Sequence, residues 1–205
     1  MRSACNLRRE RIHAFRLQPI FAYAILKTVM KMFLPNRKLP RLPDYDYSTP
    51  GVYFITICTH EKRCIFGKIL PTNIFGDMQM QYSSIGEIAK ECLLDVESHY
   101  DNIKIDQWVI MPNHIHLLIR IEERINPFPT NSYNISNVVG KYKAAVTRAV
   151  GNAFMHSGKL WQSSFYDHII RDDADYQNIW QYISGNPSKW LEDCFYIDEP
   201  LPRNG

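Results

Sequence analysis

Two histidines separated by one residue are the strongest chemical feature of this 205-residue sequence. His114 and His116 lie in Trp108–Arg120 (WVIMPNHIHLLIR), where flanking apolar residues predict a buried strand. Because alternate residues of a strand share a face, the imidazoles should project together, about 7 Å apart, while Ile115 points away. Such a pair can converge on one metal ion, or it can be two hydrogen-bonded histidines of a half-buried strand.

A tyrosine and an asparagine four residues apart form a second candidate group, in Gln181–Pro187 (QYISGNP). Tyr182 and Asn186 would share a helix face, although Pro187 disfavours the α conformation at Asn186 and predicts a frayed last turn there. A phenol beside an amide oxygen suits a tyrosine nucleophile next to a metal, since a cation polarises the phosphate under attack. Tyr182 can equally be a packing aromatic, and Tyr142 is a competing tyrosine that would face either DNA or the core.

The donor types also indicate which metal would bind. Two histidine nitrogens and one carbonyl oxygen, with open positions, suit Mg²⁺ or Mn²⁺ better than a closed zinc site. Asp167 and His168, in Trp161–Arg171 (WQSSFYDHIIR), could form a carboxylate–imidazole pair behind the ligands, and Arg171 could contact a phosphate. A structural role explains Asp167 or Arg171 at least as well.

The elements that must position these residues alternate between strands and helices. This order predicts an α+β fold, a ferredoxin-like split βαβ sandwich with an antiparallel sheet and helices packed on one face. The predicted strands are Val52–Thr59, Cys64–Leu70 as a hairpin partner of the first, Ile103–Ile110, Ile115–Ile121 and Phe165–Arg171. The predicted helices run from Ser83 or Ser84 to about His99, over Ile135–Met155, and over Asp172–Ile183.

Composition limits the class of protein. The chain has 24 Lys and Arg against 21 Asp and Glu, and residues 1–43 carry ten of the basic residues but only one acid. The basic character therefore lies in an N-terminal arm, and the remaining chain is acidic. The cysteines are odd in number and lack CxxC spacing, which excludes a disulfide framework or zinc ribbon and favours a reducing compartment; they are Cys5, Cys58, Cys64, Cys92 and Cys194.

The N-terminal arm contains the apolar run 19–26 (PIFAYAIL), which Lys27 and Lys31 interrupt. This run is well short of the roughly 20 apolar residues that a membrane span needs. We expect a soluble, cytoplasmic protein without a membrane anchor. Residues 1–35 are interpreted as an extension, with a true start at Met30 or Met32, and residues 36–205 as the functional domain.

Taken in order, four segments resemble the REP-associated tyrosine transposases, within the single-tyrosine HUH transposases of insertion sequences. The resemblance covers about residues 36–195, and MPNHIH followed by WQxxFYDHIIR and YIxxNP is its specific part. The matching segments are Tyr45–Thr59, Trp108–Ile119, Trp161–Arg171 and Tyr182–Pro187.

The resemblance implies a metal-dependent endonuclease and strand transferase acting on single-stranded DNA near hairpins, such as REP-like sequences or insertion-sequence ends. It assigns His114 and His116 to the two HUH histidines, Tyr182 to the nucleophile and Asn186 to the third metal ligand. Attack by Tyr182 would give a 5′-phosphotyrosine and a free 3′-hydroxyl. One nucleophilic tyrosine per chain means one cleavage per active site, so full mobilisation would need two chains or two rounds. The protein would therefore act as a homodimer or a monomer.

A single-stranded substrate also implies basic side chains that follow its backbone. Solvated helix-face residues are the alternative explanation for those on the long helix. Candidates are Lys141, Lys143 and Arg148 on that helix, with Arg37, Lys38 and Arg41 before the first strand. Three alternatives stay open. They are a non-catalytic nucleic-acid-binding module on the same fold, a metal-dependent hydrolase that uses water, in which Tyr182 only packs, and a domesticated protein that cleaves a host's dispersed hairpin sequences without mobilising itself.

Overall fold

The structure, a computed structural model, describes residues 46–72, 77–123, 134–155 and 158–197. The N-terminal extension, the candidates Arg37, Lys38 and Arg41, and residues 124–133 lie outside these ranges. The helices among the described residues are too short or too polar to cross a membrane.

Six strands and three helices make up the described chain. In order they are β1 (Gly51–Cys58), β2 (Gly67–Pro71), β3 (Met78–Tyr82), α1 (Ser84–Leu94), β4 (Ile103–Met111), β5 (His114–Ile121), α2 (Ile135–Phe154), β6 (Tyr166–Ile169) and α3 (Asp173–Gly185). Strands β4-β5-β1-β6 form one antiparallel sheet, and β2 pairs with β3 in a separate hairpin. Without that hairpin, the order is the βαββαβ of a ferredoxin-like fold, and the predicted fold class is confirmed.

The hairpin differs from its prediction. The second strand begins at Gly67 and pairs with Met78–Tyr82, which was not predicted as a strand, and it does not pair with β1. The physical reason is that both edges of β1 are occupied, one by β5 and the other by β6. A strand paired on both sides has no free backbone groups for a third neighbour.

The two faces of the sheet carry different layers. Tyr53, Ile55 and Ile57 of β1 point to one face and pack with α1 and α2 in the main core. Phe54 and Thr56 point to the other face, where α3 lies. The expectation of helices on one face therefore holds for α1 and α2, whereas α3 departs from it because its contacts are with the opposite side of the sheet.

Side chains cap the start of each helix. Ser83, one of the two predicted caps, accepts a hydrogen bond from the Gly86 N–H at 3.1 Å. Asn134 and Asp172 cap α2 and α3 in the same way. After α3, Pro187 opens a short 3-10 turn (Pro187–Glu192) that returns the chain toward the sheet.

Candidate active site

Two buried histidines lie on the face of the sheet that carries α3. His114 and His116 of β5 are 0% and 1% exposed. Their ring centroids are 4.4 Å apart, closer than the spacing expected along a strand, because the rings lean toward each other. The predicted shared face is therefore present, and the two imidazoles converge.

The side chain of Asn113 determines which nitrogen of His114 carries the proton. Its Nδ2 donates to the carbonyl oxygens of Lys62 and Phe195, at 3.1 and 2.8 Å, which fixes the orientation of the amide. Its Oδ1 lies 2.9 Å from His114 Nδ1 and can only accept, so Nδ1 carries the hydrogen. Nε2 of His114 is thus left with a lone pair, and it is buried without a hydrogen-bond partner among the described residues.

His116 is held in a similar way by β1. Thr56 faces His116 directly across the β1–β5 pair, and its Oγ1 is 2.8 Å from Nδ1. The Oη of Tyr182 lies 3.2 Å from Nε2 on the other side of the ring. Both hydroxyls can donate or accept, so the two contacts fix the orientation of the His116 ring.

Burial keeps both imidazoles neutral. It lowers the pKa of His116 from 6.5 to about 3. The pKa of His114 is also lowered well below 6.5, first by burial and then by the charges of His116 and Lys62. Neutral imidazole is the form that ligates metals.

Tyr182 reaches this pair from α3, where its ring packs edge-on against Phe54 with centroids 6.0 Å apart. Burial raises the pKa of its phenol, and the charge of Asp193 raises it further. The phenol is therefore protonated and poorly nucleophilic in this state, so a nearby cation would be needed to favour its ionised form.

Polar contacts fix α3 on the sheet. Tyr176 Oη donates to Asp106 Oδ2 at 3.1 Å, and the same carboxylate is paired with Arg120 of β5. Asp106 occupies a bulge where the register of β4 shifts, which accounts for its reach toward α3. Nearer the end of the helix, Gln107 Nε2 donates to Ser184 Oγ at 2.9 Å. These bonds hold both ends of the helix that carries Tyr182.

Asn186 lies one turn beyond Tyr182 and is 2% exposed. Its backbone stays helical, with φ −60° and ψ −44°, which differs from the predicted frayed turn. The chain enters the 3-10 turn directly, so the helical geometry persists up to Pro187. Asn186 Oδ1 is buried without a hydrogen-bond partner in the described part of the chain. The amide also lies beside the phenol of Tyr182, whose pKa it lowers slightly against the larger effect of burial.

Asp193 is a site residue that the sequence did not indicate. Its carboxylate is 2% exposed, and Oδ2 is 3.9 Å from His114 Nε2. Asp193 and the two histidines each offer a ligand atom, and these three atoms lie within 4.8 Å of one another. Burial raises the pKa of the Asp193 carboxyl. No periodic pattern links Asp193 to the histidines, because it reaches them only through the turn after α3.

Together these groups are better suited to coordinating a divalent cation than to forming hydrogen bonds with one another. Two neutral imidazole nitrogens and a carboxylate oxygen of Asp193 converge in a buried space, and the Asn186 side chain hydrogen-bonds Asp193 beside them. Two of these donors, His114 Nε2 and Asn186 Oδ1, have no hydrogen bond among the described residues. Mixed nitrogen and oxygen donors of this kind suit Mn²⁺ or Mg²⁺.

Asp167 and His168 do not form the predicted pair. They are consecutive in β6 and so point to opposite faces of the sheet. Asp167 Oδ2 accepts from Tyr47 Oη at 2.7 Å, whereas His168 Nε2 lies 2.8 Å from Asp175 Oδ2 of α3. The carboxylate that pairs with His168 is therefore Asp175 of α3 and not Asp167.

The basic candidates of α2 lie on the helix that packs against the other face of the sheet. Lys143 Nζ donates to the Gln162 carbonyl at 2.7 Å, and Lys141 Nζ is over the Tyr100 ring. Arg148 and Arg171 are exposed.

Tyr142 is buried in the core on that same side, where its Oη donates to the Ala89 carbonyl at 3.0 Å. This contact places the competing tyrosine away from the histidine pair. Trp161 and Phe165 are also buried, so they serve the core.

Comparison with known proteins identifies the class. A family model described as "Transposase IS200 like" matches residues 78–186, just over half of the chain. The chain therefore belongs to the IS200-like transposase family, as the sequence motifs predicted.

Individual relatives support this assignment. An uncharacterized protein of Haemophilus influenzae is 35% identical over 178 residues, which are 80% of this chain and 94% of that protein. A second protein of that organism, provisionally named a REP-associated tyrosine transposase, is 27% identical over 155 residues, 70% of this chain and 74% of its own length. A solved REP-associated tyrosine transposase bound to a REP hairpin has the same fold, with a TM-score of 0.52, 20% identity and 73% of each chain covered.

Proposed function

We propose that this transposase cuts and rejoins single-stranded DNA near a hairpin, through a covalent bond between DNA and Tyr182. The observation that carries the proposal is the position of the Tyr182 hydroxyl, 3.2 Å from His116 Nε2 at the edge of a buried group of metal-ligand atoms. We expect the enzyme to act in the cytoplasm, as a monomer or a homodimer.

In the proposed reaction, the Tyr182 oxygen attacks the scissile phosphorus. One P–O bond forms to the phenol as the bond to the 3′ oxygen breaks, leaving a 5′-phosphotyrosine and a free 3′-hydroxyl. The phenol loses a proton and the leaving oxygen gains one. Because the number of phosphodiester bonds is unchanged, the hydroxyl of another strand end can reverse the step without ATP.

His114, His116 and Asn186 would hold Mg²⁺ or Mn²⁺. A bound cation would polarise the phosphate and stabilise the developing negative charge. The protein's own contribution is to keep both imidazoles neutral through burial, to orient them through Asn113 and Thr56, and to keep Tyr182 on the same face of α3 as Asn186.

Hairpin-bearing DNA is the proposed partner because the solved neighbour is bound to a REP hairpin. Bases that are not paired expose their faces for stacking, and a single strand can enter a site that duplex DNA cannot. The basic candidates on α2, and Arg171, could contact the backbone of such a strand only where it runs away from the histidine pair.

Covalent trapping tests the proposal. Purified protein is incubated with hairpin-bearing single-stranded DNA and Mn²⁺ or Mg²⁺, and a protein–DNA adduct that survives denaturation is expected. Tyr182→Phe should abolish the adduct, whereas the matched control Tyr142→Phe should retain it.

The other functions predict different results. Cleavage that persists in Tyr182→Phe without an adduct would indicate a hydrolase that uses water. Binding of the DNA without any cleavage, in the presence of either Mn²⁺ or Mg²⁺, would indicate a non-catalytic nucleic-acid-binding module.

A further inference from the structure

Asp193 stands out because its carboxylate is buried beside two neutral imidazoles, those of His114 and His116. Its carboxylate is 2% exposed and faces His114, which is itself fully buried. The distance of 3.9 Å between Oδ2 and Nε2 exceeds a hydrogen bond. A buried carboxylate costs free energy unless a cation or hydrogen bonds compensate it.

Hydrogen bonds from the Phe195 N–H and from the side chains of Asn186 and Cys194 hold the Asp193 carboxylate in place. Oδ1 accepts a hydrogen bond from the Phe195 N–H at 2.6 Å, and this bond closes the chain after the 3-10 turn. Oδ2 is directed to the space that His114 Nε2 borders. An asparagine could supply the Oδ1 bond equally well, so the local backbone does not require a carboxylate.

The unpartnered lone pair of His114 Nε2 near Oδ2 indicates a cation as a further partner of the carboxylate. His114 Nε2 and Asn186 Oδ1 are electron-pair donors that are buried and lack hydrogen bonds within the described ranges. The Asn186 amide donates to the carboxylate, but His114 Nε2 and Asp193 Oδ2 face each other with no proton between them, and a shared cation would reverse their repulsion. A carboxylate would also give the site its only negative charge among the four ligand groups.

We propose that Asp193 is a further ligand of the divalent cation, in addition to His114, His116 and Asn186. This inference rests on the proposed function. It assigns the site two nitrogen and two oxygen donors and one negative charge, which favours a divalent cation with affinity for both donor types, such as Mn²⁺.

Mn²⁺ binding by the DNA-free protein tests this inference without measuring activity. Isothermal titration calorimetry with MnCl₂ is performed on the wild type, on Asp193→Asn and on Glu192→Gln. Asp193→Asn keeps an oxygen for the Phe195 N–H and should bind Mn²⁺ at least about tenfold more weakly, as loss of a ligand contact implies. Glu192→Gln removes an adjacent exposed charge and should leave the affinity within about twofold of wild type.

Thermal unfolding supplies a second readout. If Asp193 is a ligand, Asp193→Asn without metal should melt at or above the wild-type temperature, because a buried charge is removed. Added Mn²⁺ should then raise its melting temperature much less than that of the wild type. A variant that melts lower without metal but gains the full Mn²⁺ shift would show a structural role and overturn the proposal.

The adduct assay separates this proposal from the proposed function. Wild type that forms the Tyr182 adduct while Asp193→Asn binds Mn²⁺ normally would overturn the ligand role alone. Wild type that binds Mn²⁺ in an Asp193-dependent way but forms no adduct would overturn the proposed function alone.

Discussion

Single hydrogen bonds behind the histidines decide what the site can bind. Asn113 and Thr56 each contact an Nδ1 atom, and both are buried. The Asn113 bond leaves Nε2 of His114 without a proton, which is the state required for a metal ligand, and the Thr56 bond orients the ring of His116. The chemistry of the candidate site therefore depends on two residues that would touch neither metal nor DNA.

Thr56→Val tests this dependence with a side chain of nearly the same shape. Loss of the Oγ1 contact would leave Nδ1 of the buried His116 ring without its hydrogen-bond partner. We expect a loss of about 1–3 kcal/mol in the free energy of unfolding, measured in urea. Mn²⁺ affinity, measured by calorimetry, should fall about 10–100-fold.

The exposed Thr49 offers a matched control, because its Oγ1 donates to the Asp46 carbonyl at the surface. Thr49→Val should leave Mn²⁺ affinity unchanged. Equal Mn²⁺ affinity in wild type and Thr56→Val would show that Thr56 does not orient His116.

At the scale of elements, α1 is seated closely on the chain that precedes β2. A Cβ added to Gly86, in the first turn of α1, would lie 2.0 Å from the Phe66 carbonyl oxygen. Backbone atoms cannot move aside as flexible side chains can. The glycine therefore permits the close contact between this helix and the hairpin segment.

Two helix glycines give a matched pair of substitutions. Gly86→Ala should lower the free energy of unfolding by about 1–3 kcal/mol, because the new methyl group overlaps backbone. Gly140→Ala in α2 meets nothing within 4 Å and should raise it by about 0.5–1 kcal/mol, since alanine favours the helix. Chemical denaturation measures both, and equal effects of the same sign would contradict the packing at Gly86.

Elements with a regular period were predictable, and those that depend on distant pairing were not. The alternation around His114 and His116 and the four-residue spacing of Tyr182 and Asn186 fix shared faces within one element. The partner of β2 could not be predicted, because the edges of β1 are filled by strands far along the chain.

The same limit applies to the candidate site. Asp193 follows a 3-10 turn with no repeating pattern, so only the folded chain shows its proximity to His114. Consecutive Asp167 and His168 suggested a pair by sequence adjacency, although adjacent residues of a strand point apart. Sequence therefore predicted the residues supplied by single elements, but not those brought in by irregular segments.

At the scale of the whole molecule, buried neutral histidines link global stability to pH. Both fold with a lowered pKa, about 3 for His116, whereas the unfolded value is near 6.5. Below pH 6.5 the unfolded chain binds more protons, so stability present above this pH is lost as the pH falls toward 3. The raised pKa of Asp193 has the opposite effect, because it increases stability as the pH falls. Two histidines against one carboxyl group give a net loss of stability at low pH.

We therefore expect metal-free protein to lose about 1 kcal/mol of unfolding free energy per histidine between pH 6.5 and 5.5. Urea denaturation with a chelator present measures this loss. His116→Gln should reduce the pH slope, whereas His99→Gln, at an exposed position, should not. A constant free energy over this pH range would contradict the burial of neutral imidazoles.

The position of α3 and the turn after it has a consequence for the order in which the protein is made. A ribosome adds roughly 5–20 residues per second, from the N-terminus onward. All six strands, including both histidines, precede the proposed nucleophile Tyr182, and Asn186 and Asp193 follow it. A growing chain could thus complete its sheet before it possessed the group that would cut DNA, and cleavage would become possible only after Asn186 and Asp193 had also been added.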